Sequence, residues 1–220
     1  MARMKECVAA VVLSLLSVGL SAPLSSCDSL LNPIAVTNEE ILGRWLYIGG
    51  SSDLPGSRSV GRLMTSAWLN VTTTTQDNVL HFLQTEKVFG QCFSIQYNMD
   101  FRNSTLLIEE PFYLKEVYLQ TDCSDCLLAH EEVVSGNDTF TSLLFFSRTQ
   151  SVSPAALETL KRQAECLRMP SPIMLDPDYE ICPDNIPPVD GIAALNTLLE
   201  AKTGHKVVKL LDAVLEMFMN

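Results

Sequence analysis

Residues 79–101 read VLHFLQTEKVFGQCFSIQYNMDF, and the fold is decided by how this stretch divides. Two runs rich in β-branched and aromatic residues, Val79 to Val88 and Gln91 to Phe101, flank Gly90. That is the pattern of two strands joined by a tight turn. The same texture extends outward on both sides. Arg44 to Ile48 and Gly61 to Val71 precede the stretch; Ser104 to Glu109, Phe112 to Thr121, Cys126 to Val134 and Thr139 to Ser147 follow it. The breaks carry turn chemistry: Gly49-Gly50 through Pro55-Gly56, Gln76-Asp77-Asn78, Asn103, Pro111 and Ser135-Gly136-Asn137-Asp138. Eight strands with no helix between them are successive antiparallel neighbours, and eight is the count at which an up-and-down barrel closes around one small ligand. The expected fold is therefore all-β, an eight-stranded antiparallel barrel.

Past the eighth strand the period changes. Ser153-Pro154 is an N-cap followed by proline at the first helical position, which predicts a helix over Ala155 to Met169. Leu157, Leu160, Ala164 and Leu167 give that helix one apolar face to lay on the barrel wall. Prolines 170, 172, 177, 183, 187 and 188 then break the chain into an extended tail. A last amphipathic segment, Ile192 to Met219, carries the stripe Val207, Leu210, Leu211, Val214 and Phe218, with Gly204 as a possible break. Two readings of this stripe stand open: a helix packed on the protein or on a second copy, or one that meets a lipid surface.

The 15 Lys and Arg against 26 Asp and Glu leave a net charge of −11, which argues against nucleic acid and against anionic membrane. With 47% hydrophobic and 19% charged residues, the chain is too apolar to be disordered. Arg3 and Lys5 precede an apolar run from Val8 to Leu20 and the small residues Ser21-Ala22, the layout of a secretory signal peptide. Residues 1–22 are assigned to it, with the cut between 19 and 26, and the run is too short to span a bilayer. Beyond it stand six cysteines, an even number that in a secreted chain implies disulfides. Three sequons, at Asn70, Asn103 and Asn137, each near an expected turn, add glycosylation to the expectation.

Gly43-Arg44-Trp45 at the start of the first strand resembles the G-x-W signature of the lipocalins, and Phe145-Phe146-Ser147-Arg148 resembles that family's late arginine signature. The middle T-D-Y-like signature is absent; Ala129-His130-Glu131 stands about where it would be, which points to an outlying member. Gln91-Cys92, Glu165-Cys166-Leu167-Arg168-Met169-Pro170 and Pro33-Ile34 resemble the branch holding alpha-1-acid glycoprotein and apolipoprotein M. The same branch contains the fish lipocalins that bind saxitoxin, tetrodotoxin and tributyltin, which this chain resembles in length and layout. The resemblance covers residues 27–183 as one lipocalin domain, followed by a tail over 184–220.

The resemblance implies three disulfides, Cys27–Cys166, Cys92–Cys182 and Cys123–Cys126. Cys123 and Cys126 can also be read as a redox C-x-x-C pair. It implies structural roles for Gly43, Trp45 and Arg148, the tryptophan closing the narrow end of the barrel under the guanidinium. Alternation along each strand, in the register the family implies, then turns Tyr47, Phe82, Gln84, Glu86, Leu127, Ala129, Glu131, Ser142, Leu144 and Phe146 inward, with Trp68 and Tyr97 as further aromatic walls. A bulge in any strand would reverse the assignments beyond it. Such a pocket is apolar and aromatic with a few polar groups, and Glu86 and Glu131 could pair with a cationic ligand or sit at a wet rim. None of the inward residues is basic, which weakens a lysophospholipid ligand.

Nucleophile-elbow, zinc-helix, P-loop and dinucleotide motifs are all missing, and His81, His130 and His205 lack metal-ligand spacing. With every cysteine after the signal assigned to a disulfide, no thiolate nucleophile remains. The expectation is a secreted, non-enzymatic carrier of a small hydrophobic or cationic molecule, with neither cofactor nor metal. The alternative is an interaction protein that meets a lipoprotein or receptor through its C-terminal helix.

Overall fold

The computed structural model describes residues 26–176 and 180–200. The signal-peptide assignment and the part of the tail helix beyond residue 200 lie outside the described residues. The elements, in chain order, begin with α1 (Cys27–Leu31), β1 (Pro33–Ile34), α2 (Asn38–Ile41), β2 (Gly43–Ser52) and α3 (Ser57–Leu63). Next come β3 (Met64–Thr73), β4 (Val79–Val88), β5 (Gln91–Arg102), β6 (Thr105–Ile108), β7 (Tyr113–Leu119), β8 (Cys126–Ser135) and β9 (Asp138–Ser147). The chain continues through α4 (Pro154–Cys166), β10 (Ile173–Met174), β11 (Pro188–Asp190) and α5 (Gly191–Glu200).

Strands β2 to β9 pair in sequence, and β2 pairs with β9 to close an eight-stranded antiparallel barrel. The β4–β5 hairpin is an unbroken ladder, running from Val79 opposite Asp100 to Val88 opposite Gln91. Its two turn residues, Phe89 and Gly90, both take positive φ, 52° and 74°, as a tight hairpin turn demands. Alternation divides the side chains into two layers. Trp45, Leu69, Val71, Phe82, Met99, Phe101 and Leu106 fill the interior, while Ile48, Leu128, Leu143 and Phe145 form a second cluster under Ala156, Leu160 and Ala164 of α4. Ser153 caps α4 by accepting from Ala156 N–H at 3.2 Å. Gln163, fully buried in the same helix, donates at 2.9 Å to the carbonyls of Leu30 and Gln120.

Two features differ from the sequence expectation. The second barrel strand starts at Met64, three residues late, because Ser57–Leu63 is helical. The C-terminal chain also returns to the barrel. Glu180 pairs with Lys87 at 3.0 Å, the Cys182 carbonyl accepts from the Trp68 indole at 3.1 Å, and Asp184 meets Arg44. β11 then pairs in parallel with β5 along Ser94, Ile95 and Gln96, a stretch of β5 that the short β6 leaves unpaired. Leu199 of α5 is 4% exposed and packs, with Ile192 and Leu195, on the interior cluster. The described part of the predicted tail helix is thus part of the barrel's own packing.

Three disulfides, Cys27–Cys166, Cys92–Cys182 and Cys123–Cys126, tie α1 to α4, β5 to this C-terminal strap, and the turn before β8 to itself. Trp68 borders the cavity, as expected, and also anchors the strap. Its cross-strand partners are Leu46 and Thr85, outside the set shared with Trp45, and Arg44 lies 3.9 Å over its ring. Trp68→Phe, which removes the indole donor and part of a buried ring, is expected to cost about 1–3 kcal/mol in a denaturant titration. The same variant should also weaken a ligand in the barrel, since the ring borders the cavity; an unchanged affinity would leave Trp68 with the strap alone.

Candidate functional site

The site is an internal cavity of about 260 Å³ that opens beside α3, with a smaller void of about 50 Å³ nearer the closed end. The floor is built first. Trp45 is 3% exposed and its indole donates to the Ile41 carbonyl at 2.9 Å. The Arg148 guanidinium lies 3.4 Å over the ring and donates to the carbonyls of Arg44 and Leu42, both at 2.7 Å. Gly43 sits at φ +91°, and a Cβ there would stand 3.2 Å from the guanidinium, so the chain crosses beneath Arg148 only without a side chain.

Above the floor, a bulge at Ile48 resets the alternation in β2, so that Tyr47, Gly50 and Ser52 face Phe146, Leu144 and Ser142 in turn. A Cβ on Gly50 would fall 2.6 Å from the Tyr47 hydroxyl and 2.3 Å from the Leu143 carbonyl oxygen. Glycine is what lets the phenol lie against the strand. Tyr47 meets Phe146 edge-on at 5.6 Å, and Phe82 stacks on Tyr97 at 5.3 Å. Tyr47, Phe82, Gln84, Glu86, Tyr97, Leu127, Glu131, Ser142, Leu144 and Phe146 all border the cavity or its inner void, and Ala129 shares their face opposite Leu144. Trp68 borders the cavity too, but its strand parity is opposite to that of Trp45 and its indole N–H is spent on the Cys182 carbonyl.

Among the contributors that sequence reasoning missed, four matter most to the chemistry of the site. Glu116 and Tyr118 of β7 face Glu131 and Ala129 across the ladder and enclose the inner void. The signal was available: Glu116 shares strand parity with Leu114 and Tyr118, so an inward apolar face carries it inward too. The other two, Arg58 and Val60, come from α3 and stand at the cavity opening. A basic residue therefore borders the cavity after all.

The polar lining is a chain of shared protons. The Tyr97 hydroxyl donates to Gln84 Oε1 at 3.3 Å, and Gln84 Nε2 donates to Glu86. Burial pushes the Glu86 carboxyl up from its ordinary range, with the Gln84 bond opposing. Glu116 and Glu131 share a hydrogen bond, and Tyr118 bonds Glu116. Burial drives both carboxyls up, Glu116 to about 7 and Glu131 to about 8, the second pushed further by its neighbour's charge. Near neutral pH the pair therefore retains a proton, and its second charge appears only when something positive compensates it. Burial and these carboxylates also raise the Tyr47, Tyr97 and Tyr118 phenols, which stay neutral donors. Among the described residues no three His, Cys, Asp or Glu side chains converge to hold a metal ion.

No family model and no curated protein matches the sequence. Solved structures do match. The siderocalin Ex-FABP, described as functioning through dual ligand specificities, aligns with a TM-score of 0.54 at 16% identity, over 62% of this chain and 93% of that one. The bovine lipocalin allergen Bos d 2 gives 0.53 at 15%, over 67% and 99%. A dog lipocalin allergen gives 0.52 at 18%, over 66% and 99%. At these identities the likeness is one of architecture: the barrel, its closing arginine and its flanking helix form a lipocalin fold.

Proposed function

We propose that the protein is a secreted lipocalin that carries or sequesters a small molecule, apolar in its body and cationic at one end, inside the barrel. The observation that carries this reading is the lining itself. Aromatic and aliphatic walls surround three carboxyls, the buried Glu116 and the half-buried Glu86 and Glu131, and no basic side chain stands among the inner residues. Such walls take up apolar surface, and an ammonium or guanidinium supplies the missing positive charge, helped by the faces of Phe82, Tyr97 and Phe146. The cavity volume suits one small ligand. Binding is favoured over catalysis because the six cysteines from Cys27 to Cys182 are all in disulfides, leaving no thiolate nucleophile among the described residues. Those disulfides, the sequons at Asn70, Asn103 and Asn137, and the N-terminal apolar run support secretion as a glycoprotein. The G-x-W and late-arginine motifs support membership of the lipocalins, in the alpha-1-acid glycoprotein and apolipoprotein M branch.

Native mass spectrometry of the glycoprotein from secreting cells, followed by release and identification of the bound molecule, tests this directly. A stoichiometric organic amine or guanidine is the expected result. An empty barrel that also takes up no amine from solution would overturn the reading. Ala67→Phe supplies the control, since Ala67 is buried opposite Glu86 on the cavity wall. Its extra ring should lower affinity at least about tenfold, at a stability cost of about 1–3 kcal/mol from overpacking.

A further inference from the structure

We propose that the rim formed by α3 and the β4–β5 turn is a docking surface for a phosphatidylcholine bilayer, placing the cavity mouth against the lipid from which an apolar ligand is drawn. Three of the most exposed large apolar side chains stand on these elements: Phe89 at 74% in the turn, Phe93 at 55% on β5 and Val60 at 43% on α3. The Phe89 N–H donates to the Leu63 carbonyl at 3.2 Å, so turn and helix form one continuous edge. Phe89 holds a left-handed backbone, φ 52°, at a hairpin position where asparagine or glycine is favoured. The chain thus presents an aromatic ring to solvent at a place that suits neither the ring nor the backbone.

Charge selects the partner. Arg58, Arg62 and Lys87 lie on this edge with Asp176 and Glu180 of the strap, Glu180 pairing with Lys87 at 3.0 Å, so the edge is close to charge-balanced in a chain whose net charge is −11. Glu109, Glu110 and Asp138, all exposed, occupy the opposite rim beside the Asn137 sequon. The mouth is therefore divided into an apolar, charge-balanced side and an acidic side. Aromatic tips interleaved with cations match the boundary between acyl chains and phosphate groups. An edge of balanced charge on a chain of net negative charge disfavours an anionic surface and fits a zwitterionic one. Arg58 and Val60 border the cavity as well, so the edge that meets lipid is continuous with the ligand's route. The transfer step rests on the carrier reading; the docking step does not.

The full-length secreted protein, without ligand, is sedimented with phosphatidylcholine vesicles. The wild type should pellet with them. Phe89→Ser with Phe93→Ser should weaken that binding about tenfold or more, while Tyr113→Ser on the opposite rim should not. Because both phenylalanines are exposed, the double variant should keep its melting temperature and its affinity for a soluble amine. A wild type that stays in the supernatant, or a double variant that pellets equally well, overturns the proposal, and so does capture by a protein partner with no vesicle binding. Vesicle binding by a barrel that takes no ligand would sustain the surface and defeat the carrier reading. A loaded barrel indifferent to vesicles would do the reverse.

Discussion

Glu131→Gln is expected to lower affinity for an aromatic amine by at least about thirtyfold at alkaline pH, since removing one side of a buried charge pair costs about 2 kcal/mol or more. The same change should stabilise the empty barrel. A carboxyl that holds its proton more tightly folded than unfolded contributes stability at low pH. That contribution is lost as pH rises through the folded value. For Glu131 the window runs from the ordinary 4.5 to about 8, and for Glu116 to about 7. The ligand-free wild type should therefore lose stability across that range, on the order of 2–4 kcal/mol. Melting curves of the Gln variant should be flatter. A bound cation reverses the balance by favouring the ionised pair, so that amine affinity rises with pH and binding releases a proton. Calorimetry in buffers of different ionisation enthalpy reads that proton. Equal affinity in wild type and variant, or a wild-type affinity flat with pH, would remove the pair from the site.

The second large effect lies at the closed end. Trp45→Ala should cost about 3–5 kcal/mol, the range for deleting a buried aromatic ring. Arg148→Ala should cost about 2–3 kcal/mol through its cation–π contact and charge-assisted bonds to the Arg44 and Leu42 carbonyls. The double variant should cost about 1–2 kcal/mol less than the sum, because each single change already breaks the stacked pair. Strict additivity in chemical denaturation would mean that ring and guanidinium act independently.

Most of the barrel was legible because local signals agreed. The β4–β5 hairpin announced itself through two alternating runs around Gly90, and parity counted from Trp45 and Arg148 carried the inward residues of β2 and β9. Those signals are short-range. What escaped depended on partners distant in sequence or on breaks in alternation. At Trp68 it was the second role that escaped, because nothing near it foretells the strap that covers its outer face, 114 residues further on. The bulge between Met64 and Ser66 compounded this by shifting parity at the start of β3. The α3 segment, SRSVGRL, has no apolar stripe, and Gly61 disfavours a helix, so only its packing beside β2 and β3 reveals it. Glu116 escaped because a lone acid in a strand reads as solvated, although its parity with Leu114 and Tyr118 placed it inside.

The wall contributed by β11 also bears on how the protein is made. Pro188 pairs with Ser94, a residue synthesised 94 positions earlier. At about 5–20 residues per second, that edge of β5 waits roughly 5–20 s for its partner. The neighbouring hairpins form locally in microseconds. Throughout translation the nascent barrel therefore carries one open seam, the kind of bare strand edge that recruits other chains. A ribosome stalled or truncated before residue 188 would leave that seam permanently open, even with all eight barrel strands already synthesised.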